Sequence, residues 1–178
     1  MWLKILRPVL QETIQREGDL PQRVSERLDK AIGDRQQVII DGAERPILRS
    51  GDYATQEEEF SGKKRHCVKN VLISGDDQKV LYLSPTYSGS VHDKAIADEQ
   101  DFQFQRTIDL LQDTGFQGFK PKNANIIQAL KKPKGKELTP EQKEQNKDKS
   151  KIRVVVEHSI RGVKIWRIAK DVCRTWQN

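Results

Sequence analysis

The sequence predicts an α/β fold in which helices cover a mixed five-stranded sheet. Three observations carry that reading. The first three β-rich runs follow one another, and two of them flank a tight turn, the pattern of antiparallel strands. The later apolar runs alternate with helical stretches, which is how crossover connections read in sequence. Near its end the chain carries an amphipathic stretch with apolar residues at 152, 155, 156, 160, 163 and 166, a helical period.

Each element has its own justification. Trp2, Ile5, Leu6, Val9 and Leu10 recur at helical spacing and predict a helix over 1–16, which Pro8 should kink or break. A polar-rich helix is expected over 21–32, from Pro21 to a stop at Gly33. Residues 1–35 would thus form a short helical segment preceding a main domain over 36–178. Val38, Ile39 and Ile40 are β-branched and predict a buried strand that runs out at Asp41, before a Gly. The following stretch, "RSGDYATQEEEFSGKKR", has no period and reads as a polar connection. "KRHCVKNVLI" and "KVLYLS" flank the turn "SGDD" and form a hairpin. In "PTYSGSVHDKAIADE" a loop leads to Ser90, a cap for a helix from Val91 that runs with interruptions to about Arg106. "TIDLLQD" is a short strand ending on Asp113, and "NIIQALKK" is another. Residues 131–151 are lysine-rich and nearly without apolar side chains, a solvated excursion that turns partly helical from Pro140.

Composition narrows the function. At 178 residues the chain suits one domain, or one domain with a short appendage. Hydrophobic residues make up 35% and charged residues 33%, so a modest core carries strongly charged loops. The net charge of +6 favours a polyanionic partner. Cys67 and Cys173 make neither a metal pair nor a disulfide framework, which points to a reduced, intracellular setting. No run approaches the ~18 apolar residues of a membrane span. His66, His92 and His158 are scattered without zinc spacing.

The carboxylates then stand out. Asp41 and Asp113 each end an apolar run and precede a Gly-containing turn, "DGAE" and "DTGF". Ligands of open α/β sheets lie beyond strand ends, so the two acids could converge there. Glu157 sits between Arg153 and Arg161 at helical spacing, and Asp93 follows "GSVH" at the start of the middle helix. Each has a structural alternative. Asp-Gly forms turns, Arg-Glu-Arg forms a solvated ladder, and an acid in a first helical turn complements the macrodipole. If the four act together, their hard oxygen ligands suit Mg²⁺ or Mn²⁺.

Six blocks in order change the weight of these residues: "IIDGAERPI", "EEEFSGKKRHCVKNVLI", "LYLSPTYSGSVHDKAIADE", "LLQDTGFQGF", "KKPKGKELTPEQKEQNK" and "IRVVVEHSIRGVKIWRI". Over roughly residues 36–170 the chain resembles DDE-type insertion-sequence transposases, above all the bacterial group allied to PIF/Harbinger elements. The resemblance implies a ribonuclease-H-like fold in which the first strand, the fourth strand and a late helix each deliver an acid. Those positions fall on Asp41, Asp113 and Glu157 as the catalytic, metal-binding triad. The "GSVHD" block matches a family motif, making Asp93 a further metal ligand or an alternative second acid.

The implied chemistry is in-line displacement at DNA phosphodiesters with two Mg²⁺ or Mn²⁺ ions, by hydrolysis at an element end and then strand transfer. Lys63, Lys64, Arg65, Arg153, Arg161 and Lys164 are the expected phosphate contacts, with Lys131, Lys132, Lys134 and Lys136 as weaker ones. The expected partners are double-stranded DNA, both element ends and target, and a second copy of the chain on that DNA. Neither a membrane nor a small-molecule cofactor is expected. The setting would be the bacterial cytoplasm, at the nucleoid. Relatives usually carry a helix-turn-helix region upstream, and only about 35 residues precede the first strand here. The expectation is therefore the catalytic part of a longer transposase, truncated or split. Two other classes stay open: a non-catalytic DNA-binding remnant, and a general metal-dependent nuclease of the same fold.

Overall fold

Runs such as "VII" and "VLIS" favour a sheet because branched side chains pack well on a pleated surface. The computed structural model describes residues 21–62, 65–77, 79–130 and 139–147. A 3-10 turn, Ser25–Arg27, leads into α1, Leu28–Ile32. β1, Gln37–Pro46, is followed by α2, Tyr53–Glu59, then by β2, Cys67–Gly75, and β3, Val80–Leu83. A two-residue β4, Tyr87–Ser88, precedes α3, Asp93–Glu99. β5, Gln103–Gln112, runs into a second 3-10 turn, Thr114–Phe116, and then β6, Lys122–Gln128. Residues 140–147 form a last described helix, α4. Thr139 and Gln142 start it reciprocally, each side-chain oxygen accepting the other's backbone N–H at 3.3 and 3.0 Å, a capping box. Among the described residues no helix is long and apolar enough to cross a membrane.

The strands lie in the order β3-β2-β1-β5-β6, with β4 added on β2. β1 is antiparallel to β2 and parallel to β5, while β2–β3 is antiparallel and β5–β6 parallel. This is the expected mixed sheet flanked by helices, compatible with a ribonuclease-H-like fold. β4 is a short addition, which leaves β5 as the fourth long strand.

Alternation along β1 divides the interior in two. Val38 and Ile40 join the larger core with Val71, Ile73 and Leu110 of the neighbouring strands, Ile96 of α3, and Leu28 and Ile32 of α1. Tyr82 meets Phe102 there edge to face, with ring centroids 5.0 Å apart. Ile39 points the other way and packs with Leu72 and Leu111. Burying each such side chain stabilises the fold by ~1.5–3 kcal/mol.

Several local expectations are corrected. β1 does not run out at Asp41, because β2 keeps pairing with it from Asp41↔Leu72 to Pro46↔Cys67. What ends there is the parallel ladder to β5, whose last pair is Ile40↔Gln112. The middle helix stops at Glu99, and its N-cap position is His92 rather than Ser90, with no side-chain capping bond. Residues 103–106 belong to β5, where Phe104 alternates inward with outward Gln103 and Gln105. The "polar connection" contains α2, whose first turn is capped by the Asp52 carboxylate accepting from Thr55 N–H at 2.8 Å. Gln22 is extended, donating to Leu81 O at 2.8 Å, so helix begins only at Ser25. The helices expected over 1–16 and 152–168 lie outside the described residues.

Candidate active site

The register of β1 against β5 sets where Asp41 and Asp113 lie along the sheet. Ile39 and Leu111 pair across β1 and β5 and share the smaller core. Side chains two residues further along point the same way. Asp41 and Asp113 are the next residues after the last ladder pair, Ile40↔Gln112, Asp41 still within β1 and Asp113 at the N-cap position of the turn that follows β5. Both are partly exposed. Each is steadied by the backbone of the next residue: Gly42 N–H donates to Asp41 Oδ1 at 2.8 Å and Thr114 N–H to Asp113 Oδ1 at 2.6 Å.

The "DTGFQGF" segment builds a rigid turn after Asp113. Phe116 and Phe119 sink into the larger core with ring centroids 6.4 Å apart. Phe116 N–H returns to Asp113 O at 3.0 Å. Buried Gln112 donates from Nε2 to Phe116 O at 3.2 Å and reaches Phe119 O at 3.4 Å, while Gln128 of β6 donates to Asp113 O. Gly118 supplies the φ of +86° that closes the turn.

Asp93 lies on the opposite face. A Cβ placed on Gly42 would stand 2.9 Å from Asp93 Cγ, and one on Gly115 would stand 3.5 Å from Asp93 Oδ2. The carboxylate thus fills the space that the missing methyl leaves behind β1. Lys69 of β2 shares this face, because it pairs with Glu44 two positions beyond the Gly42↔Val71 pair. Its Nζ donates to Val91 O at 3.0 Å and lies 3.5 Å from Asp93 Oδ1. Lys69 is only 7% exposed. Asp93 Oδ1 is buried and has no hydrogen bond among the described residues.

Of the remaining expected site residues, Glu157, Arg153, Arg161, Lys164, Lys63 and Lys64 lie outside the described residues, as do Lys131, Lys132, Lys134 and Lys136. Arg65 is described and stands exposed just before β2. Among the described residues no three His, Cys, Asp or Glu side chains gather into a metal site. Reading the sequence missed Gln112, Lys69 and the space at Gly42. The available signal was a Lys at an inward position of "CVKNVLISG" and a Gln at an inward position of "IDLLQ", since a polar group there needs a buried partner.

The family model for the DDE superfamily endonuclease matches residues 40–175. The chain belongs to that family. It is also 32% identical over 138 residues to a probable transposase for insertion sequence element IS702 from Microchaete diplosiphon. That alignment covers 77% of this chain and 49% of the relative, so the chain spans about half the length of the curated relative it matches. No solved structure matches it. The donors at the end of the β1–β5 ladder fit the metal dependence of DDE endonucleases: the partly exposed carboxylates of Asp41 and Asp113 are hard oxygen donors, the kind that Mg²⁺ and Mn²⁺ prefer.

Proposed function

We propose that this DDE endonuclease domain is the catalytic part of an insertion-sequence transposase, and that Asp41, Asp113 and Glu157 hold its divalent cations. What supports the reading is the register of β1 against β5, in which Ile39 pairs with Leu111 on one face; continuing that alternation by two residues puts Asp41 and Asp113 on the same face. Glu157, outside the described residues, is the third acid by its motif. When bound, two Mg²⁺ or Mn²⁺ ions polarise the attacking and leaving oxygens.

The protein's own part is rigidity and orientation. Asp41 is fixed by a strand paired on both sides up to Ile40, and Asp113 by a turn whose two phenylalanines are locked in the core. Little positional slack remains, which is what a displacement at phosphorus requires. An oxygen of water, and later of the freed 3′-hydroxyl, bonds to phosphorus as the bond to the leaving oxygen breaks. That oxygen takes up a proton, and no bond to the protein forms. The substrate is double-stranded DNA, first an element end and then the target. Arg65, with Lys63, Lys64, Arg153, Arg161 and Lys164, grips phosphates, so binding should weaken with salt. Two ends handled together call for a homodimer on DNA.

The test is a calorimetric titration of Mn²⁺ into the full chain and into Asp41→Ala, Asp113→Ala and Glu157→Ala, followed by nicking of supercoiled plasmid. Loss of both metal binding and nicking in all three variants is expected. Equal Mn²⁺ binding in all four proteins would reject the reading and leave a DNA-binding module.

A further inference from the structure

Asp93 and Lys69 are a charged pair in a place where charge is expensive. Taking the Lys69 ammonium and the inner oxygen of Asp93 out of water is costly unless geometry compensates; among the described residues Asp93 Oδ1 has no hydrogen bond, and the Lys69 ammonium stands 3.5 Å from it. What the pair holds is legible from its neighbours. The Asp93 carboxylate occupies the space that a side chain on Gly42, the residue after Asp41, would need, and lies within van der Waals reach of one on Gly115, two residues after Asp113. The β1–β5 ladder has already stopped at Ile40↔Gln112. Strand pairing therefore no longer sets the separation of the two chains where the acids stand.

We infer that Asp93, anchored by Lys69, is a positioning residue that wedges behind Gly42 and Gly115 and so sets the spacing of Asp41 and Asp113, without itself ligating metal. This rests on the proposed function, in which Asp41 and Asp113 hold the cations. It assigns Asp93 a task different from the ligand its motif alone suggests. The glycine at position 42 follows from it, since a Cβ 2.9 Å from the carboxyl carbon would force the wedge away.

The test uses the full chain in two readouts: Mn²⁺ affinity by calorimetry, and the backbone amide resonances of Gly42 and Gly115 before any metal is added. Asp93→Asn, Lys69→Met and the double variant should each lose about 10-fold in Mn²⁺ affinity, as supporting residues around metal sites do. The double should be no worse than either single, because both remove one coupled element. The two glycine amides should shift in the metal-free variants. A loss of about 100-fold or more in Asp93→Asn with near-native affinity in Lys69→Met would overturn the proposal and make Asp93 a direct ligand. Native affinity and unshifted amides in all three would overturn it too. Should Lys69→Met fail to fold, Asp93→Glu decides. It keeps a carboxylate but is one methylene too long for the space at Gly42, so it should behave as Asp93→Asn does, and native affinity would sink the wedge. If Asp41→Ala leaves Mn²⁺ binding unchanged, the proposed function fails instead, and the metal-free amide shifts still decide the wedge.

Discussion

Within a single residue step, the two faces of β1 treat a carboxylate in different ways. On one face Asp41 leaves the strand partly exposed, with the Gly42 N–H donating to it. On the other, Asp93 arrives from α3 with one oxygen buried and a 7%-exposed lysine beside it. Both carboxylates are partly exposed; the first is steadied by a backbone N–H, the second by a buried ammonium. Asp41 and Asp93 are therefore not equivalent: the alternation of β1 puts the Asp41 side chain on one face and the space at Gly42, which the Asp93 carboxylate fills, on the other.

The largest expected effect strikes the Asp41 face. Asp41→Asn should lower plasmid nicking by about 10³-fold, because charge is removed where the reaction develops it. Thermal stability should change by less than ~0.5 kcal/mol. A variant that cuts normally but melts early would reverse the roles assigned to the two faces. Next in size is the support beneath Asp113. Phe119 is 4% exposed, so Phe119→Ala should destabilise the chain by ~3–4 kcal/mol in urea unfolding. Mn²⁺ affinity should fall with it, since the turn that fixes Asp113 loses an anchor. Gly42→Ala sharpens the comparison at the strand between the faces. A methyl forced against Asp93 should cost ~1–3 kcal/mol, and the same change in an Asp93→Ala background should cost clearly less. Equal costs in both backgrounds would mean the carboxylate is not seated against β1.

How much of this was legible beforehand depends on which interactions are local. The hairpin of β2 and β3 was readable because branched runs flank a four-residue turn. Asp41 and Asp113 stood out because each closes an apolar run before a Gly-containing turn. The second half of β1 was not readable: "DGAERP" has no apolar alternation, and it is held as strand by β2 across the whole register to Pro46↔Cys67. β5 was read too short because Phe104 between two glutamines gives a period of two only over a few residues. Asp113 ranked above Asp93 in the sequence because it closes an apolar run, whereas Asp93 opens a helix. What could not be read was the buried Lys69 beside Asp93 and the space at Gly42 that its carboxylate fills, because both depend on residues distant in the chain.

The smallest expected effect concerns how α3, the helix that begins at Asp93, is seated at its other end. Tyr82 of β3 donates to Gln100 Oε1, Gln100 Nε2 donates to Tyr87 Oη at 2.7 Å, and Tyr87 Oη donates to Glu99 Oε1 at 2.9 Å. Burial pushes the Tyr82 hydroxyl from 10.0 up to about 12, with the neighbouring Tyr87 as a lesser cause. The folded value lies above the unfolded one, so the unfolded chain ionises first as pH rises. The stability that this hydroxyl contributes is whole below pH 10 and is lost as pH climbs through the folded value of about 12. Wild type should accordingly lose on the order of 1 kcal/mol more than Tyr82→Phe between about pH 9 and 11 in urea unfolding. Parallel losses in the two proteins would show that this chain of hydrogen bonds does not seat α3. The position of Asp93 would then rest on Lys69 and the packing of Ile96 and Ala97, and the Lys69→Met experiment would carry correspondingly more weight.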